Sequence, residues 1–154
     1  MAKFKISIIT GGHRSWDFNG IDFAFIKDKQ VMFCKELLTP DTSTTLKNGL
    51  HSLVINCIEH CHFNTSQHHY LFTGSEDTFI KVIRVDEGEL KLEQTLRSHI
   101  SSVKAMHLVD LTENKKLLVT AGGRAEFKVW RLDWNPHREA LVISEVKYVV
   151  HLLT

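Results

Sequence analysis

The stretch Leu71 to Val85, LFTGSEDTFIKVIRV, is used again as Leu118 to Leu132, LVTAGGRAEFKVWRL. Laid over one another, the two put Leu71 on Leu118, Thr73 on Thr120, Lys81 on Lys128, Val82 on Val129 and Arg84 on Arg131, a constant offset of 128 − 81 = 47. A chain that repeats a unit of this length folds as a row of like modules, each shielding its neighbour from water. Each copy reads as strand, tight turn, strand. An apolar run ends in Thr (Tyr70 to Thr73; Leu117 to Thr120), a polar or Gly-rich turn follows (Gly74 to Asp77; Gly122 to Arg124), and the second run is rich in β-branched and aromatic residues.

Upstream of the copies stand Leu50-His51 and Ser98-His99, each followed by a further strand-like run, Val54 to Ile58 and Val103 to Val109. A His before one strand, then strand, turn and strand ending in x-V-W-R, recurring every ~40–50 residues, is the pattern of a propeller blade of WD-repeat type. No stretch shows a sustained helical period, so the expected class is all-β.

The remaining segments fit that class. Lys3 to Thr10 reads as a strand closing on a turn at Gly11-Gly12, and Phe23 to Cys34 as a hairpin around the charged turn Lys27-Asp28-Lys29. His13 to Phe18 is a compact polar and aromatic motif to which composition assigns no role. Thr39 to Asn48 reads as a loop, Leu90 to Gln94 as a half-exposed outer strand, Asp133 to Glu139 as a turn, and Ala140 to Ile143 and Val146 to Leu153 as closing strands. The expected division is 1–49, a degenerate N-terminal blade portion; 50–95, a WD-like blade; and 96–154, a WD-like blade with the start of the next. A blade buries its faces only against other blades, and closed propellers need roughly four to eight. Two clear copies and one degenerate blade amount to a partial β-propeller, a piece of a larger one. If the chain is whole, it should expose apolar faces and associate.

Composition narrows the function classes. With 43% apolar and 24% charged residues among 154, the chain is ordinary globular material. A net charge of +1 gives no whole-chain field for polyanions. Six basic residues against two acidic between Lys115 and Arg138 (Lys115, Lys116, Arg124, Lys128, Arg131, Arg138; Glu126, Asp133) read as solvated charge or, alternatively, as a phosphate-facing strip. Three cysteines, an odd number, and no apolar leader at Met1 favour a reducing cytoplasmic compartment. No run approaches the ~18–20 apolar residues of a membrane span.

Several clusters invite chemistry and do not carry it. Cys57 to His62 with His68 and His69 is dense in metal ligands, but His60, Cys61 and His62 are consecutive and would alternate across a strand, so they do not converge on zinc; a polar loop end between strands is the plainer reading. A thiol nucleophile at Cys61 lacks any acylation motif. Gly11-Gly12-His13-Arg14 and Gly122-Gly123-Arg124 match no phosphate-cradle spacing. His51, Thr73 and Asp77, and His99, Thr120 and Trp130, resemble triad parts, yet in WD repeats such residues form a structural hydrogen-bond chain. No catalytic, metal or cofactor residue is expected.

Three stretches carry a family likeness: GGHRSWDF (Gly11 to Phe18) with FAFIKD (Phe23 to Asp28); FTGSEDTFIKV (Phe72 to Val82); and LRSHISSVKAM (Leu96 to Met106) leading to TAGGRAEFKVWRL (Thr120 to Leu132). On these the chain resembles the WD repeat-containing protein six family. The resemblance implies a large, non-catalytic propeller that partners a tRNA ribose 2′-O-methyltransferase acting at the wobble position, binding the enzyme and helping to position tRNA. The alternative is a generic WD-repeat interaction module in signalling or trafficking without RNA contact. Two departures stand out: Ile83 occupies the blade Trp position of the first copy, and Arg124 the turn Asp position of the second, so neither copy holds the full His, Thr, Asp, Trp set. Arg124 accepts no hydrogen bond from His99 and is free for a carboxylate or phosphate of a partner. Expected partner or RNA contacts are His13, Arg14, Trp16, Arg124 and Lys128.

Overall fold

The computed structural model of the protein describes residues 15–18, 22–35, 43–47, 49–86, 89–97 and 99–147. Among the described residues there is no helix; the strands form three four-stranded antiparallel sheets. The first sheet runs in order through β1 (Ser15–Phe18), β2 (Asp22–Lys27), β3 (Gln30–Lys35) and β4 (Ser43–Lys47). The second holds β5 (Ile55–His62), β6 (His69–Ser75), β7 (Ile80–Asp86) and β8 (Glu89–Leu96), and the third β9 (Val103–Thr112), β10 (Lys115–Gly122), β11 (Phe127–Asn135) and β12 (Ala140–Glu145). Each strand pairs with its sequence neighbour, so each sheet is a meander assembled from local turns. This architecture is consistent with partial WD-type propeller blades.

The repeat appears as the two central hairpins, β6–β7 and β10–β11. Gly74 pairs with Ile80 and Ala121 with Phe127, so both turns have the same length. Both carry a left-handed residue at the equivalent place, Thr78 at φ 75° and Ala125 at φ 54°. The expected hairpin around Asp28 is present too: Lys27 pairs with Gln30, and Asp28, at φ 56°, turns the chain.

Packing follows from which strand faces are apolar. One face of the second sheet, with Leu71, Ile83 and Val85, joins Ile26 and Val31 of the first sheet in a buried cluster. Its other face, with Tyr70, Phe72, Ile80 and Val82, joins Leu118, Trp130, Leu132 and Trp134 of the third. The second sheet is therefore covered on both sides, and β6 is buried from Tyr70 to Ser75 without alternation. In the third sheet, β10 keeps only Leu118 and Thr120 buried, because its other face meets no sheet among the described residues.

Gly74 marks where β6 meets β9. A Cβ there would lie 2.5 Å from Val103 Cγ1 and 2.8 Å from Cys57 Sγ. Gly74→Ala is expected to destabilise by about 1–3 kcal/mol through overpacking, read as a lower urea midpoint.

Two expectations are corrected. Thr39 to Asn48 is not all loop: Ser43 to Lys47 pairs with Lys35 to Val31, since the β-branched threonines suit an edge strand and β3 offers a free edge. Glu59 to His62 is not a loop end but the last half of β5, paired with Phe72 to His69. The expected strand at Lys3 to Thr10, the Gly11-Gly12 turn and residues 148–153 of the final strand lie outside the described residues.

Candidate functional site

Each repeated hairpin is clamped to the segment leading into its sheet by a histidine. His51 places Nε2 2.8 Å from Thr73 Oγ1 and Nδ1 2.9 Å from Asp77 Oδ2. With the proton on Nδ1, the ring donates to the carboxylate and accepts from the threonine hydroxyl. Asp77 also accepts from the amides of Ser52 and Phe79. Burial lowers the His51 pKa against the pull of Asp77, keeping the ring neutral. Burial would raise the Asp77 pKa, but the Phe79 amide and His51 outweigh it and hold the carboxyl low.

The second copy repeats the clamp with one change. His99 Nε2 lies 2.6 Å from Thr120 Oγ1, and Trp130 Nε1 donates to the same oxygen at 3.0 Å. The acid is Glu126, not a residue at the Arg124 position. Its Oε1 accepts from the Ile100 and Ser101 amides and the Ser101 hydroxyl and stands 3.2 Å from His99 Nδ1, though without good hydrogen-bond geometry. Neither copy holds the full His, Thr, Asp, Trp set: the first lacks the Trp, and in the second Glu126 stands beside His99 in place of the Asp. In a turn of equal length, Glu126 sits two positions after Arg124, and its extra methylene lets it reach back. The first copy ends at Thr73, because Ile83 has no donor to offer.

Burial alone would raise the Glu126 pKa; the Ser101 hydroxyl and amide, the nearby His99 ring and the Ile100 amide reverse this and hold it at about 2. A carboxyl lowered on folding stabilises above its unfolded value near 4.5 and loses that contribution as pH falls toward 2. Glu126→Ala should therefore cost about 1–2 kcal/mol at pH 7 and almost nothing near pH 2, measured as the difference between urea unfolding curves at the two values.

The expected contact residues are not gathered together. Arg124 is exposed at the tip of the β10–β11 turn, its amide donating to Ser101 Oγ. Lys128 is half-buried on β11, 3.6 Å from Glu145. Trp16 lies in β1, opposite Ala24, in the first sheet; His13 and Arg14 fall outside the described residues. The basic strip is partly neutralised, since Lys116 pairs with Asp110 and Lys128 with Glu145.

The histidine-rich run is structural. His60 and His62 project from one face of β5 and stack on His69, with centroids 4.9 Å and 4.2 Å away and rings nearly parallel. His60 Nε2 and His69 Nδ1 share a hydrogen bond of 2.7 Å, and His62 Nε2 donates to the Ser66 carbonyl. Burial, then His69, His62 and Lys116, push the His60 pKa down to about 3. Cys61 points to the opposite face, where burial pushes its thiol up to about 12, far from a nucleophile's range. No group of three His, Cys, Asp or Glu side chains among the described residues is placed to hold a metal ion. No helix among them is long and apolar enough to cross a membrane.

No protein-family model matches the chain. A curated protein of Drosophila melanogaster, "tRNA (34-2'-O)-methyltransferase regulator WDR6", is 23% identical over 156 aligned positions covering 92% of this chain. The chain spans 16% of that relative's length. Together with the stacked meanders and their His–Thr–acid clamps, this distant similarity supports a WD-repeat family relationship for the chain.

Proposed function

We propose that the chain is a run of propeller blades, divided as 1–49, 50–95 and 96–154, within a non-catalytic cytoplasmic WD-repeat scaffold. This scaffold supports ribose 2′-O-methylation at the tRNA wobble position by binding the methyltransferase and helping to position tRNA. The supporting observation is the similarity, along 92% of the chain, to a protein named as a regulator of such an enzyme. The clamps agree with a scaffold role, because their polar side chains are taken up in holding hairpins to neighbouring segments. His13, Arg14, Trp16, Arg124 and Lys128 are the proposed contacts to enzyme or tRNA. Affinity capture of the full-length protein should recover a 2′-O-methyltransferase, and its depletion should lower wobble-ribose methylation in isolated tRNA. Capture without a methyltransferase, with methylation unchanged, overturns the reading.

A second reading, a protein-binding WD module without RNA contact, is favoured by the pairing of Lys104, Lys116 and Lys128 with acids. Salt-insensitive partner binding with no measurable tRNA affinity in the reconstituted complex would select it.

A further inference from the structure

β5 and β9 are edge strands of the second and third sheets, and they pack side by side. The seam between them is bridged near both ends. Asn56 Nδ2 donates to the Val103 carbonyl at 2.9 Å, and just past the far ends of the strands Thr65 Oγ1 donates to Asn114 Oδ1 at 2.7 Å. Between these bridges stands Glu59, which alternates with Cys57 and Cys61 and so faces the third sheet. It is 3% exposed, and its Oε1 is buried with no hydrogen-bond partner among the described residues. A carboxylate buried without donors or a cation is costly, so such a group keeps its proton until a counter-charge reaches it. Burial pushes this carboxyl up to about 7.

Glu59 lines a cleft of about 270 Å³ together with His60, His62, His107, Asp110 and Lys116. The cleft wraps the edge of β5, and most of these groups do not share the face of Glu59. His60 and His62 project from the opposite face and stack on His69. His107 alternates with Met106 and Leu108, which pack into the core, so it too is turned away. On the face of Glu59 itself, burial pushes the Cys61 thiol up to about 12 and the Tyr70 hydroxyl upward, which keeps both neutral. Lys116 is the cation that reaches this face: its Nζ lies 5.4 Å from the centre of the buried Phe63 ring, and its charge acts on Cys61. The Lys116 side chain is 16% exposed and pairs with Asp110, whose side chain is 80% exposed. An ion pair with one member so open to water is weak, and the lysine stem is flexible.

We propose that Glu59, Lys116 and Asp110 form a proton-operated switch in this seam. While Glu59 holds its proton, Lys116 stays on Asp110; when the proton leaves to water through the cleft, the Lys116 ammonium turns inward to the Glu59 carboxylate and leaves Asp110 bare on the rim. The seam thus exchanges a neutral interior and a paired rim for a buried ion pair and an exposed negative charge. The switch is independent of the methyltransferase reading, since it needs no partner to operate.

The test follows the Glu59 and Asp110 carboxyl carbons of the 154-residue chain by nuclear magnetic resonance as pH is raised, with urea unfolding at each pH. Glu59 should titrate near 7 rather than near its ordinary 4.5. Because the unfolded chain ionises first, the folding equilibrium should weaken as pH climbs from 4.5 and level off above 7. Relative to Glu59→Gln, the unsubstituted chain should lose about tenfold or more in that equilibrium between roughly pH 5 and pH 8; Glu59→Leu gives the same comparison if the glutamine variant does not fold. Asp110 should show a second shift at the Glu59 midpoint, absent from Glu59→Gln. Lys116→Met should move the Glu59 midpoint up by about half a pH unit or more, and Asp110→Asn, which releases Lys116, should move it down. His107→Gln should leave it in place. A Glu59 midpoint near 4.5, one unmoved by Lys116→Met, or one that His107→Gln moves further than Lys116→Met does would each overturn the proposal.

Discussion

Trp130→Ala is expected to lower the unfolding free energy by about 3–5 kcal/mol. Trp130 is 5% exposed, and it packs in the cluster that joins the second and third sheets. Truncation opens a cavity between sheets that cannot collapse without separating their strands, so the loss should sit near the top of that range. It also strips Thr120 Oγ1 of its indole donor, leaving the hydroxyl with His99 alone. Trp130→Phe separates the two contributions: it keeps most of the volume and removes only the donor, at about 1–2 kcal/mol. Urea unfolding followed by circular dichroism reads both. An alanine variant within about 1 kcal/mol of the parent would mean that the third sheet does not rest on Trp130. Ile83, at the matching place in the first copy, makes no such hydrogen bond, so Ile83→Val should cost only about 1 kcal/mol.

The second large effect concerns association. Ile80 is 0% exposed, whereas its counterpart Phe127 is 46% exposed, and Val142 on the same face is 56% exposed. Tyr70, Phe72 and Val82 are buried under the third sheet, while their counterparts Leu117, Val119 and Val129 are only half-buried. A flat apolar sheet face of this kind draws like faces together in water. Produced by itself, the chain should sediment as associated species at micromolar concentration. Phe127→Lys combined with Val142→Lys should return it to a monomer without lowering the unfolding midpoint. A parent chain that is already monomeric at those concentrations would contradict this account of the face.

The central hairpins were legible because their information is local. Leu71 to Val85 and Leu118 to Leu132 contain strand, turn and strand within one short window, and the turn length is the same in both. β4 and the polar half of β5 were not legible, because neither is decided locally. Ser43 to Lys47 becomes a strand by adding to the edge of β3, and Glu59 to His62 extends β5 because the chain returns as β6 directly beside it. Among the candidate site residues, Thr73, Thr120, His51 and His99 were readable from spacing, but Glu126 was missed. A fixed offset of 47 points to Arg124; the usable signal was that Glu126 is the one acid between Thr120 and Phe127.

The two sheet-to-sheet contacts use matching surfaces. The side of the second sheet that meets the first carries Leu71, Ile83 and Val85, and the side of the third that meets the second carries Leu118, Trp130 and Leu132, the same positions one repeat on. A module whose back is shaped to receive the front of its own duplicate can be lengthened by tandem copying of the gene segment, with no new contact surface to be invented. Each added copy would meet its predecessor through the same face, so the row retains one direction from its first member to its last.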